Sequence, residues 1–437
     1  MKIALIRPNM GNYRSSDAMT PLAMGILAGR STGHEVVFYD DRVEPMPERI
    51  DADLVAISVE TFTARRAYQI ADQLRAQGTR VVLGGYHPTL LPQEAAAHAD
   101  ALITGDAEDV WAQLLHDAQC NQLQALYASP NRHDLTDYAM DRRIFANKRY
   151  APIELVQYGR GCRFACDFCS IHRFYGHHVR VRPAADVRAE LEQLNRKRLL
   201  FFVDDNLFNT ETQLLQLLDA IAPLRMRWSC QISIDVARNQ HLLDRLAAAG
   251  CRYVLIGFES MERANLKQMG KGWNHVAGSY RDVVRALHQR GIGIYGTFVF
   301  GYDHDTVDTI ARSLDFALEA ELDIANFNPL TPTPGSALYE RLRQENRLIS
   351  PQWWLDPHYR YGDPIFTPAS MSAHDMTQGC FDAKQRFYAW SSIAKRVWGH
   401  RKTPQPFQPD HRRHCQHHLA ARGVPQARPN AWRLSRE

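Results

Sequence analysis

Short β-branched runs alternate with helical spacing through the first third of the chain. Ile3–Ile6, Glu35–Tyr39, Leu54–Val59, Arg80–Leu83 and Ala101–Ile103 predict buried strands, and Pro21–Arg30, Thr63–Gln77 and Ala107–Asp117 carry apolar residues at helical spacing. This alternation predicts a parallel sheet covered on both faces by helices, a doubly wound, Rossmann-like domain over 1–130. Ligands of such sheets sit at the C-terminal strand ends. Polar and glycine-rich punctuation falls there: Arg7-Pro8-Asn9, Asp40-Asp41, Ser58–Thr61, Gly84–Pro88 and Gly105–Glu108. From about Asn121 to Tyr150 the periodicity lapses, and Pro130, Asn131 and a run of charges predict a linker, placed at 131–150.

Strand and helix patterns resume at Glu154–Tyr158 and continue through Leu199–Val203, Arg227–Ser233, Tyr253–Phe258, Ile292–Phe300 and Ile324–Phe327. Helical segments such as Asp186–Lys197, Thr212–Ile221, Asn239–Ala249 and Val276–Arg290 separate them. Six strands with polar ends predict a barrel over 151–335 whose mouth carries the chemistry. The extended, proline-ruled stretch Asn328–Ser336 closes it. Glu340–Arg347, Trp353-Trp354 and Asp375–Ala394 predict a small, mostly helical C-terminal extension over 336–437. Its many aromatics read first as a cap packed on the barrel, with direct substrate stacking as the alternative.

Composition adds bounds. The 437 residues suffice for two or three domains, and 45% hydrophobic with 23% charged residues is ordinary for a soluble α/β protein. No apolar run reaches the roughly 18–20 residues that cross a bilayer, and the N-terminal strand is too short for a signal peptide, so a cytoplasmic protein without a membrane span is expected. Net charge is +4, but from Lys395 onward ten Lys/Arg face two Asp/Glu. That local +8 leaves about −4 for the rest, so the basic balance belongs to a tail and argues for no nucleic-acid partner. Within the tail, His411–His418 has metal-ligand composition at a spacing that matches no tetrahedral site.

Eight cysteines set no disulfide framework, because three are gathered in Gly159-Arg160-Gly161-Cys162-Arg163-Phe164-Ala165-Cys166-Asp167-Phe168-Cys169 and the others are scattered. A structural zinc site takes four ligands, often in two cysteine pairs, and no second pair lies nearby. Three thiolates instead suit three irons of a [4Fe–4S] cube, leaving the fourth iron open to a small molecule. The C-x3-C-x2-C spacing resembles the signature of the radical S-adenosylmethionine (SAM) enzymes. The combination of Gly84-Gly85-Tyr86-His87-Pro88-Thr89 with Gly105-Asp106-Ala107-Glu108 is similar to the cobalamin-binding domain that precedes many of them. Together the segments resemble the cobalamin-binding class of that family over nearly the whole chain.

The resemblance implies a partial (β/α)6 TIM-type barrel, a [4Fe–4S] cluster held by Cys162, Cys166 and Cys169, and SAM chelated to the open iron. It implies an electron donor such as flavodoxin or ferredoxin and a small-molecule substrate. SAM contacts then fall on the polar turn Asp204-Asp205-Asn206 for the amine and the backbone at Phe168 for adenine. Ser233 and Asp235 would serve the ribose or methionine end, and Glu259 the hydroxyls. The turns at Gly296-Thr297-Phe298 and Gly301-Tyr302 would approach adenine. Each strand-end Asp, Asn or Ser is also an ordinary helix N-cap. Gly84, Gly85 and His87 are the cobalamin-contact candidates, since glycine lets backbone approach a ligand closely. One departure keeps cobalamin open: many such domains carry Asp-x-His-x-x-Gly after the first strand, and here Asn9, Asp17 and Thr20 occupy that region with no His.

The main expectation is a transferase that cleaves SAM reductively and moves a methyl group by way of cobalamin. A cobalamin-independent enzyme that moves a 3-amino-3-carboxypropyl group, for instance to a metalloid, is the rival within enzymes. A non-catalytic iron–sulfur protein is the rival outside them.

Overall fold

The computed structural model describes residues 1–399 apart from Asn12, 131–134, His177 and Gly278. The histidine-rich tail at 411–418 lies outside the described residues. The chain divides into two compact units. The first is Met1–Ser233 with Ala248–Cys251 and Thr331–Tyr361; the second is Ile234–Ala247, Arg252–Leu330 and the described residues from Gly362.

The first unit opens on a six-stranded parallel sheet: β1 (Lys2–Arg7), β2 (Glu35–Asp40), β3 (Leu54–Ser58), β4 (Arg80–Gly84), β5 (Ala101–Thr104) and β6 (Leu126–Ala128). Their order is β2-β1-β3-β4-β5-β6, so the winding reverses between β1 and β3, and a ligand crevice is expected at that point. Each central strand buries both faces. Ile3, Leu5, Leu54, Ala56, Val82 and Ile103 join the cluster formed with Met24, Leu27, Trp111 and Leu114, while Ala4, Ile6, Val55 and Leu83 are buried as well. Trp111 is fully covered, and its Nε1–H donates to Ser31 Oγ at 3.0 Å. Burying a side chain of this kind contributes roughly 1.5–3 kcal/mol.

The stretch expected to be a linker is built into this unit. β6 adds an edge strand parallel to β5. Phe145 packs edge-on against Phe38 at 5.8 Å, and Tyr150 donates its hydroxyl to Asp40 at 2.8 Å. A three-residue strand and a single core aromatic are too short to produce a period. The expected helix at Ala107–Asp117 also starts late, at Trp111, after a single turn over Ala107–Asp109. Asp106, just before that turn, and Glu108 on it are engaged in ion pairs.

Further along the first unit come β7 (Ile153–Val156), β8 (Gly159–Arg160), β9 (Arg180–Val181), β10 (Leu199–Phe202) and β11 (Trp228–Gln231). β10 pairs in parallel with both β7 and β11, and β8 pairs antiparallel with β9. The second unit holds β12 (Cys251–Glu259) beyond its first residue, β13 (Gly293–Phe300) and β14 (Ile324–Pro329), parallel in that order. Phe258, Phe298 and Phe327, one from each strand, stack at 5.6 and 5.3 Å between ring centres.

Gly296–Phe298, expected to be a turn, continues β13 as extended strand. The expected helix over Asp375–Ala394 is two helices, Ala373–Phe387 and Trp390–Gly399. Tyr388 ends the first of them and donates its hydroxyl to Ala325 O at 2.9 Å. Among the described residues no helix is long and apolar enough to cross a membrane.

Candidate active site

β7 delivers the chain to the cysteine loop, and the hairpin of β8 with β9 brackets it. Gly161 has φ +88°, and a Cβ there would lie 2.3 Å from the His178 carbonyl oxygen, so only glycine passes. The loop is splinted from the end of β10. Asp204 accepts the backbone N–H of Tyr158 at 3.0 Å and that of Gly159, and Asp205 accepts the N–H of Gly161 at 2.8 Å. On the far side, the N–H of Leu338 donates to Asp167 O at 3.0 Å. Cys162, Cys166 and Cys169 stand half-buried on this splinted loop, in no disulfide, with Cys169 N–H donating to Cys166 O at 3.1 Å. Phe168 is half-buried between them. Among the described residues no three His, Cys, Asp or Glu side chains converge on one point as a single metal ion requires. A cube makes no such demand, because each thiolate meets a different iron.

The polar turn after β10 therefore does something the strand pattern does not reveal. Its carboxylates face the cysteine loop, and Asn206 ties that turn to Ser233, accepting its N–H at 2.9 Å and donating to its Oγ at 3.1 Å. Burial pushes the Asp204 carboxyl up to about 7 and the Asp205 carboxyl up to about 6. A carboxyl raised in the fold stabilises it fully below the unfolded value, and that contribution is lost as pH rises through the folded value. Cluster-free protein should therefore melt at a lower temperature at pH 8 than at pH 5. Asp204→Asn, which cannot titrate, should flatten that fall in a thermal scan. An equal or steeper fall in the variant would contradict the assignment.

The second unit carries the other expected contacts. Glu259 ends β12 in the left-handed region (φ +62°), beside a bulge in the ladder to β13. Backbone of this kind in a non-glycine residue persists only where the surroundings impose it. Here Lys271 Nζ donates to Glu259 Oε1 at 2.7 Å, both side chains about nine-tenths buried. Asp235 lies on the short turn Ile234–Arg238. The Phe298 ring is fully covered in its stack, so residue 298 can meet a ligand only through backbone.

A cavity of about 370 Å3 opens at the C-terminal ends of the first sheet. Leu27, Ala56, Val82, Ile103 and Trp111 supply apolar wall; Arg7, Arg42, Glu60, Asp106, Glu108 and Arg160 supply polar wall. Gly84 and Gly85 line it, and Gly85 has φ +104° with no room for a Cβ beside Val59 O at 2.9 Å. His87 is not on the wall. It is fully buried, with Nε2 at 2.9 Å from Glu94 Oε1 and Nδ1 at 3.3 Å from Thr61 Oγ1. Glu94 also accepts from Tyr68 and, across a long sequence gap, from Trp354 Nε1 at 3.0 Å. Sequence reasoning missed Arg160, Tyr86 and Glu94. Arg160 and Tyr86 stand inside quoted motifs, but their partners lie far along the chain.

Comparison with known proteins gives this geometry a family. The profile of the Radical SAM superfamily matches residues 156–317, and that of the B12 binding domain matches 19–115. Bacteriochlorophyllide d C-12(1)-methyltransferase of Chlorobaculum tepidum is 31% identical over 84% of this chain and 81% of its own. The chain belongs to the cobalamin-dependent radical SAM methyltransferase family. A second relative from that organism, bacteriochlorophyllide d C-8(2)-methyltransferase, is 31% identical over 76% of this chain and 78% of its own. The radical SAM methyltransferase TsrM of Kitasatospora setae shares the fold, with a TM-score of 0.66 at 16% identity over 87% of this chain and 88% of its own. Membership makes this an α/β enzyme of methyl transfer by way of cobalamin. The radical SAM domain implies a [4Fe–4S] cluster and SAM.

Proposed function

We propose that Cys162, Cys166 and Cys169 ligate three irons of the cluster, that the cavity of the first sheet takes the corrinoid, and that the methyl group goes to a carbon of a cyclic tetrapyrrole. The observation that carries this reading is the three-thiol loop splinted by Asp204 and Asp205 in the same unit as the cavity. The donor set fits a cube, since three half-exposed thiols on one short loop can each take an iron. The cavity fits a corrinoid's parts: apolar walls suit a flat nucleotide base, and the charged side chains suit amide groups. Among the described residues no His or Cys lines the cavity, so none of them offers a corrinoid there an imidazole or thiolate. His87 is buried against Thr61 and Glu94 and is assigned no role as a cobalt ligand.

When bound, the cluster supplies the electron that cleaves a SAM carbon–sulfur bond and cobalamin carries the methyl group. The chain's own part is to hold and orient. Asp204 and Asp205 set the loop; within the first unit, Asn206, Ser233 and backbone at Phe168 are the SAM contacts of this reading. The tetrapyrrole assignment rests on the two bacteriochlorophyllide methyltransferases, each 31% identical over most of the chain. The same reading divides the chain at 1–130, 131–150, 151–335 and 336–437, and places it in the cytoplasm with a flavodoxin or ferredoxin as electron donor.

The test is an anaerobic assay of reconstituted protein with dithionite, methyl-deuterated SAM, hydroxocobalamin and bacteriochlorophyllide d. Expected products are 5′-deoxyadenosine, S-adenosylhomocysteine and a pigment heavier by one deuterated methyl. Release of 5′-methylthioadenosine by protein that binds no corrinoid would replace this reading with 3-amino-3-carboxypropyl transfer.

A further inference from the structure

The cavity wall and the cysteine loop share residues. Arg160 is two positions before Cys162 and lines the cavity. Its guanidinium is almost wholly buried, meeting Asp106 Oδ1 at 3.1 Å and Glu108 Oε1 at 2.5 Å, with Nε donating to Gln157 Oε1 at 2.9 Å. Asp106 and Glu108 follow β5 of the first sheet and line the same cavity. Beyond Cys169, the short helix Ile171–Tyr175 places Phe174 and Tyr175 on the wall, with the Phe174 ring 4.4 Å from that of Tyr86. Both flanks of the cysteine loop therefore form part of the cavity.

We propose that Arg160 is a positioning residue that couples corrinoid binding in this cavity to the ordering of the cysteine loop by its cluster. The proposal rests on the cofactor assignments above. A loop already ordered by the cluster presents Arg160, Phe174 and Tyr175 in place, so a corrinoid that follows loses less conformational entropy on binding. Linkage makes the effect reciprocal: corrinoid in the cavity favours the cluster to the same extent. Arg160 is the channel because its two carboxylate partners come from the sheet and its backbone from the loop. Asp106 also meets a second cation, Arg180, at 2.6 Å, and Glu108 meets the Arg160 guanidinium at 2.5 Å. The Glu108–Arg160 pair is one of the two links through which the coupling runs.

The test is a titration of hydroxocobalamin, followed by absorbance, into anaerobic full-length protein with its cluster reconstituted and with its cluster removed by a chelator. The wild type should bind at least about fivefold more tightly with the cluster present, the low end of ordinary coupling. Arg160→Gln should have one Kd in both states, and Arg160→Lys, keeping the charge, should regain part of the difference. Glu108→Gln, which leaves the Asp106 contact, should show a reduced difference and serves if Arg160→Gln does not fold. A residue that merely stabilised the fold would shift the melting temperature and leave the ratio of the two Kd values intact. Equal Kd values in the wild type, or a full difference in Arg160→Gln or Glu108→Gln, overturn the proposal. If the wild type binds no hydroxocobalamin in either state, the cavity assignment falls and the coupling with it.

Discussion

Replacing any one of Cys162, Cys166 or Cys169 by Ala should give a folded protein that holds no [4Fe–4S] cluster and cleaves no SAM. In the proposed site each thiolate serves its own iron, so losing one leaves an iron without a protein ligand rather than a weaker site. No other described cysteine can stand in. Cys230, Cys251 and Cys380 are buried within their units, and Cys120 is exposed at the end of the helix Trp111–Gln119 on the first sheet. Loss should be complete in iron and sulfide content, in visible charge-transfer absorbance and in 5′-deoxyadenosine released with dithionite. Stability should change little, within roughly 0.5 kcal/mol for the cluster-free protein, because the three thiols are half-exposed. A single Ala variant that kept both cluster and cleavage would refute the ligand assignment.

The parts legible from sequence are those encoded locally. β1 to β5 each contain a run of β-branched or aliphatic residues closed by a polar or glycine end, and their observed bounds agree with the pattern to within about a residue. The cysteine spacing is local in the same sense: three cysteines within eight residues need no knowledge of the fold. β6 was hidden because Tyr127 is its single buried residue, and its place comes from pairing with β5 rather than from its own pattern. The roles of Asp204 and Asp205 were hidden for another reason. A strand-end carboxylate can cap a helix, touch a ligand or hold a neighbouring loop, and which one follows from what stands opposite. Opposite Asp204 stand two N–H groups more than forty residues earlier in the chain. Arg160 meets Asp106 and Glu108 across still longer gaps, and Glu94 meets Trp354 across most of the chain. Such contacts determine the geometry of the site while leaving no period or spacing to read.

Gly161→Ala separates that geometry from the ligand chemistry, since it keeps all three thiols. A left-handed φ of +88° is strained for any residue with a Cβ, and the new methyl would stand 2.3 Å from the His178 oxygen, which belongs to backbone and not to a side chain that can turn away. Either the hairpin of β8 with β9 opens or the loop shifts. Both movements pull the Gly161 N–H off Asp205, and an unsatisfied buried carboxylate partner costs about 1–3 kcal/mol. The backbone strain adds about 1 kcal/mol or more, and both penalties fall on the loop that carries the three thiols. The variant should reconstitute little cluster, on the order of a tenth of wild type by iron content, and lose SAM cleavage in proportion. The remaining holoprotein should have an altered visible spectrum, which distinguishes misplaced ligands from missing ones. Gly161→Ala protein with wild-type cluster content would mean that Asp205 and the hairpin do not set the loop, and that the thiols find their irons without the splint.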